Sequence, residues 1–225
     1  MPYRASWLFF WFAFIVPASA AEHVLSVVDH PGAHAMKPVI RSAYQELGLT
    51  VRFEPMPIGR RLLALQNGTT DGDVLARSNL QDKYSQVLRV GPPITQVDVL
   101  LVCPADVRCD SSVLLSGEAT VVIDRGSAML LQEGLALALP ERHEYIESPP
   151  LRTSLFNRHR INYFVYFKGN GIGGYTVTRA HKKHLIGSHQ FYHYINKRHA
   201  SLAEPLSAAL TRALTRPPSG QMATQ

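Results

Sequence analysis

The sequence predicts an α/β protein, and three features carry the prediction. Between Val51 and Val102, short runs rich in Val, Leu and Phe alternate with a helix-patterned segment. The alternation restarts after the cysteine pair Cys103 and Cys109, where Ala119–Asp124 reads as a strand leading through Gly and Ser into a helix. The 225 residues are 46% apolar, with no internal repeat and no low-complexity run, which suits one large domain or two small ones.

Taken in order, the chain opens on a secretory leader. Arg4 supplies the positive start, Trp7–Val16 the apolar stretch, and Ala18-Ser19-Ala20 the small residues that precede cleavage, expected after Ala20. The apolar stretch is shorter than the ~20 residues a bilayer requires. An exported, periplasmic chain follows, and its compartment favours a disulfide between Cys103 and Cys109. The closed loop is short, so the expected effect is a small entropic gain and a stiffer link between domains. The spacing is too wide for a redox CxxC motif, and no histidine stands close enough to make a zinc site.

His23–Asp29 is the first expected strand. A loop through Asp29-His30-Pro31-Gly32 leads to a helix beginning near Pro38 and ending at Leu47-Gly48. Val51, Phe53 and Pro55 alternate as a second strand. Arg60–Gln66 places Leu62, Leu63 and Leu65 at helical spacing, with Gly68 as its C-terminal cap. A third strand runs from Gly72 to Ala76, and a fourth from Thr95 to Val102. Strands separated by a helix of this length predict parallel pairing through a crossover. In such a sheet ligands bind beyond the carboxyl ends of the strands, which draws His30, Arg77 and the helix start at Gly59-Arg60 toward one cleft.

The order Pro57, Arg60-Arg61-Leu62, Gly68, Asp71-Gly72, Val74-Leu75-Ala76-Arg77 and Val90-Gly91-Pro92-Pro93 resembles a pattern in the bacterial extracytoplasmic solute-binding proteins of family 3. That group includes the polar amino-acid receptors of ABC importers. The resemblance implies a two-lobed periplasmic-binding fold, each lobe a mostly parallel sheet flanked by helices. It places lobe 1 at 21–104 and 190–216, lobe 2 at 105–189, and a disordered tail at 217–225.

In the second half, Ala119–Asp124 is a strand, Arg125-Gly126-Ser127 a turn and Ala128–Leu137 a helix. Glu144–Glu147 is a short strand, Pro149–Phe156 a helix, Ile161–Phe167 a strand and Tyr175–Thr178 another. The loop GNGIGG (Gly169–Gly174) lacks the GK[ST] ending of a P-loop and leads into YTVT rather than a helix, so it is not a nucleotide motif. His189–His199 and Pro205–Thr215 read as closing helices, the second with Leu206, Leu210 and Leu214 on one stripe. The ending FYHYINKRHASLAEPLSAALTRAL again resembles the family.

The resemblance also implies a ligand site. A first-lobe cation pairs with the ligand's carboxylate, since a guanidinium matches that group in a bidentate fork. Arg77 is the favoured candidate, with Lys83 where the amino-acid receptors carry theirs. Arg60 is a further candidate, because a cation at a helix start opposes the helix dipole. Gly126 and Ser127 present backbone N–H groups at a helix start. Asn162, in Arg160-Ile161-Asn162-Tyr163, stands where amino-acid receptors have an aspartate for the ligand's ammonium. With that carboxylate absent and a net charge of +6, the expected solute is small, polar and anionic. The expected partner is a membrane importer or a sensor kinase, with no nucleic acid, no cofactor, no resident metal and a monomeric chain.

Two alternatives stand beside this reading. One is a small periplasmic enzyme, dehydratase-like, on the same fold, although no nucleophile–base constellation is evident. The other is a metal-binding protein using the C-terminal histidines, in which His189 and His193 share a helix face without an accompanying carboxylate.

Overall fold

A computed structural model of the chain describes residues 22–134, 137–169 and 176–216. The expected leader, the loop residues 170–175 and the tail from Pro217 lie outside the described residues.

The chain begins with β1 (Glu22–Val27), α1 (Pro31–Glu46), β2 (Thr50–Pro55), α2 (Ile58–Gln66) and β3 (Gly72–Arg77). A single turn, α3 (Leu80–Lys83), leads into the long strand β4 (Val87–Pro104). Next come α4 (Ser112–Leu115), β5 (Val121–Ile123), α5 (Arg125–Met129) with a π-helical turn over Leu130–Gly134, and β6 (His143–Tyr145). The chain finishes with α6 (Pro149–Asn157), β7 (Tyr163–Gly169), β8 (His181–Asn196), a 3-10 segment over Lys197–Leu202, and α7 (Ala203–Thr215).

The eight strands among the described residues share one sheet in the order β2-β1-β3-β8-β4-β7-β5-β6. β2, β1 and β3 run parallel at one end, and β7, β5 and β6 run parallel at the other. The antiparallel pair β4 and β8 runs through the middle. The crossover through α2 is therefore parallel, as the strand–helix–strand pattern predicts. Pro92 and Pro93 have no N–H for the ladder, and the β4–β8 register shifts between Val90 and Thr95.

Apolar side chains collect at both ends of the sheet and define two lobes. In the first, α1 and α7 bury Ile40, Tyr44, Leu206 and Leu210 against Leu25 and Ile195. α2 brings Leu62 and Leu65 to the opposite face, against Tyr192 and Tyr194. In the second, Val113, Leu114, Ala128 and Leu131 pack on Val99, Leu101, Val121 and Val165. There α6 covers the other face, with Phe156 on Val122, Phe164 and Tyr166. The predicted α7 stripe is realised: Leu206 and Leu210 are wholly buried, each contributing roughly 2 kcal/mol of burial, and Leu214 is partly buried.

Several expectations change. α1 starts at Pro31 rather than Pro38; His30 caps it, its Nδ1 accepting from Gly32 N at 3.1 Å, and Pro38 lies inside the helix. Arg125-Gly126-Ser127 is not a separate turn but the first turn of α5, capped by Asp124. Residues 176–178 form no strand. The largest difference is His189–Asn196, which is not helical: it completes the sixteen-residue strand β8. Its Phe-Tyr-His-Tyr-Ile run alternates between the two faces of the first lobe, which extended backbone satisfies and a helix does not. His189 and His193 are thus strand residues, both buried, and His193 is bonded to Tyr44 at 3.0 Å. Cys103 and Cys109 are disulfide-linked, with Cα atoms 5.7 Å apart. Both pack in the second-lobe core, so the bridge closes a loop over that core rather than stiffening the crossing between lobes.

Candidate functional site

β1 and β3 in the first lobe, and β5 and β7 in the second, end on a shared cleft of about 510 Å³. Its first wall comes from the loop after β1 (Asp29, His30), the start of α2 (Gly59, Arg61), the end of β3 (Arg77) and α3 (Lys83) with Tyr84. Thr95 and Val97 of β4 and Phe191 of β8 form the floor. Asp124, Gly126, Glu147, Arg152 and Phe167 form the second wall.

Each wall is anchored by a buried arginine–aspartate pair. In the first lobe, Arg61 Nη1 donates to Asp73 Oδ1 at 2.5 Å and to the Leu75 carbonyl at 2.7 Å. Asp73 also accepts from Ser26 Oγ and from Leu75 N. In the second lobe, Arg152 Nη1 donates to Asp124 Oδ2 at 2.5 Å and to the Val165 carbonyl at 3.0 Å. Asp124 caps α5 by accepting from Ser127 N at 2.8 Å, and it takes the Ser127 hydroxyl at 2.6 Å. Both Asp124 oxygens are therefore engaged within their own lobe. Glu147 is also paired, with Arg125 at 2.9 Å on the exposed rim.

Two further cations, Arg77 and Lys83, line the first wall. Arg77 is half-buried at the end of β3, and burial lowers its pKa from the ordinary arginine value. Lys83 is exposed, with its ammonium 5.8 Å from the Tyr84 ring centroid. His30 links the two walls: its ring meets Phe167 of the second lobe edge-on at 6.3 Å. Burial lowers the His30 pKa, against an opposing pull from Asp124. The site is thus a mostly apolar cleft with charged groups of both signs contributed by the two lobes, the form of a small-molecule pocket.

Of the residues singled out from sequence, His30, Arg77, Lys83 and Gly126 share this cleft. Arg60 does not line it; it is exposed, one helical step from Arg61, which does. Ser127 is completely buried and its hydroxyl is committed to Asp124. Asn162 lies elsewhere, in a second hollow of about 580 Å³ at the amino ends of β5 and β7, and accepts from Arg179 Nη2 at 3.2 Å. That hollow belongs to one lobe and sits at the wrong strand ends for an α/β ligand site. Asp29, Arg61, Asp124, Glu147 and Arg152 are lining charges that are not among the ligand residues expected from sequence. Asp124 carried the clearest signal, a carboxylate directly after the apolar run Val121–Ile123.

No protein-family model matches the chain, and no curated protein does. Solved structures do. The GluR0 ligand-binding core in complex with L-glutamate superposes with a TM-score of 0.64 at 10% identity, covering 88% of this chain and 94% of that one. The probable amino-acid ABC transporter extracellular-binding protein ytmK from Bacillus subtilis gives 0.60 at 12% identity, covering 86% and 91%. The arginine-bound ArgBP from T. maritima gives 0.58 at 11% identity, covering 85% and 95%. The chain thus shares the two-lobed fold of these binding proteins. No helix among the described residues is long and apolar enough to cross a membrane.

Proposed function

We propose that the chain is an exported solute-binding protein whose two lobes close on a small polar anion. In this reading the first lobe is 21–104 with 190–216, the second is 105–189, and the closed form is presented by the monomer to a membrane importer or a sensor kinase. The observation that carries the proposal is the interlobe cleft, which Arg77 and Lys83 line from the first lobe while the second-lobe carboxylates Asp124 and Glu147 are already paired within their own lobe. The structural neighbours named above are binding proteins, and two of them hold arginine or L-glutamate. An α-amino acid needs a carboxylate for its ammonium. Here Asp124 is held by Arg152 and Ser127, Glu147 by Arg125, and Asp29 of the first lobe lies 2.9 Å from His34 Nε2. An anion requires no such partner and gains from Arg77 and Lys83 in the first wall. Closure then follows from the ligand's higher affinity for the state in which both walls reach it.

The test is a thermal-shift and calorimetric screen of the chain from Ala21 against amino acids, small mono- and dicarboxylates, phosphate esters and polyamines. A ligand at a hundredfold its dissociation constant stabilises by about 2.7 kcal/mol, which is read directly as a raised Tm. Carboxylate or phosphate hits that disappear in Arg77→Ala, with no product formed, are expected. Tight binding of a polyamine or a free amino acid in preference to anions would overturn the anionic assignment.

A further inference from the structure

We propose that His23, Asp71 and His199 form a site for one divalent transition-metal ion of the zinc class, at the end of the first lobe away from the ligand cleft. Three separate segments bring these side chains together. His23 is at the amino end of β1, Asp71 directly precedes β3, and His199 lies in the 3-10 segment after β8. The cleft is at the carboxyl ends of β1 and β3, so the two sites lie at opposite ends of the same strands.

The donor set is two imidazole nitrogens and a carboxylate oxygen, all within 4.8 Å of one another. His199 Nε2 is already 2.7 Å from Asp71 Oδ1, and the His23 and His199 rings meet edge-on with centroids 4.9 Å apart. Zinc–ligand bonds of about 2.0–2.1 Å at tetrahedral angles hold donor atoms roughly 3.3 Å apart. Loading therefore spreads the Asp71–His199 pair by about half an ångström and draws in the wider pairs, within reach of side-chain rotation. The carboxylate is oriented from behind, since Asp71 Oδ2 accepts from Val24 N at 2.7 Å. His23 is buried, with Tyr44 against its ring, while His199 and Asp71 are partly exposed. That open side gives a path for the ion and room for water as the fourth ligand.

Arg198 sets the strength of the site. Its guanidinium donates to Asp71 Oδ1 at 2.5 Å and to the Gly68 carbonyl at 2.6 Å, while its side chain is close to half exposed. Its Nε also donates to His199 Nε2 at 3.0 Å, so it stands where positive charge is wanted and must leave both Asp71 and His199 when a metal arrives. Removing its charge therefore tightens metal binding, whereas removing either imidazole weakens it.

The experiment titrates the untagged chain with Zn²⁺ by calorimetry and with Co²⁺ by visible absorption. Cu²⁺ and Ni²⁺ are avoided because a free amino terminus at Ala21, two residues before His23, would itself chelate them. One ion per chain is expected in the wild type or in Arg198→Gln, at least tenfold tighter in the latter. His199→Ala and His23→Ala are each expected to lose at least tenfold, and His184→Ala, at a distant histidine, to change nothing. His199 is partly exposed, so its variant is expected to fold, and circular dichroism checks that it does. Absence of stoichiometric binding in both the wild type and Arg198→Gln overturns the proposal. So does binding that survives loss of both imidazoles.

Discussion

The stability of the first lobe should depend on pH through His193. This ring is completely buried on β8, its Nε2 is 3.0 Å from the Tyr44 hydroxyl, and Tyr44 meets it edge-on at 5.7 Å. Burial lowers its pKa from 6.5 to about 4, opposed only in part by the backbone at Asp73 and Val74. As pH falls through 6.5 the unfolded imidazole takes up a proton, while the folded one stays neutral until about 4. The unfolded state therefore binds more protons across that window, and stability drops as the solution is acidified. The full difference corresponds to about 3 kcal/mol, of which about 2 kcal/mol is lost between pH 7.5 and pH 5. Urea unfolding of the wild type and of His193→Gln at both pH values isolates this contribution. Glutamine does not titrate and retains a group that can bond Tyr44. The variant is expected to be less stable at pH 7.5 but to lose about 2 kcal/mol less on acidification. His23, His30 and His189 are also lowered by burial, but they titrate in both proteins and cancel in the difference. Parallel pH dependences in the two proteins would refute the reasoning.

Three further outcomes can be checked by the same unfolding measurements. Arg61→Ala leaves Asp73 buried with its charge uncompensated, so it should cost about 3–5 kcal/mol, and the double variant Arg61→Met/Asp73→Leu should cost less than the single change. Gly72→Ala would put a Cβ 2.7 Å from Leu25 Cδ2 and 2.9 Å from the Tyr194 carbonyl. Neither neighbour can yield freely in that core, and a loss of about 1–3 kcal/mol is expected. Replacing Cys103 and Cys109 together by alanine opens a short loop within one lobe, which loop-closure entropy places at about 2 kcal/mol. A loss of twice that size would mean that the bridge also supports packing of the second-lobe core.

How far the sequence reveals this molecule depends on whether a pattern stays local. The stretch from β2 to β3 is legible because its cues are adjacent: alternation in Val51–Pro55, leucines at helical spacing, and Gly68, whose φ of +72° is the left-handed cap that glycine tolerates. β8 is not legible in the same way. Its first half is mostly exposed or half-exposed and its last five residues are all buried, so no single alternation runs its length. The cue that remained was composition, since Phe191, Tyr192, Tyr194 and Ile195 favour extended backbone. The cleft divides along the same line. His30 and Arg77 are visible as polar residues just beyond apolar strands, and Asp124 satisfies the same rule after β5. Arg61 is separable from Arg60 only by helical phase: it precedes Leu65 by four and so shares the buried face, whereas Arg60 does not. A charge on a buried helix face needs a partner, and the crossover already predicted from sequence carries β3, with Asp73, back past α2. The Arg61–Asp73 pair therefore follows from phase and topology together. Arg152 does not, because its partner lies 28 residues away and their meeting depends on how α6 settles on the ends of β5 and β7, which no local pattern encodes.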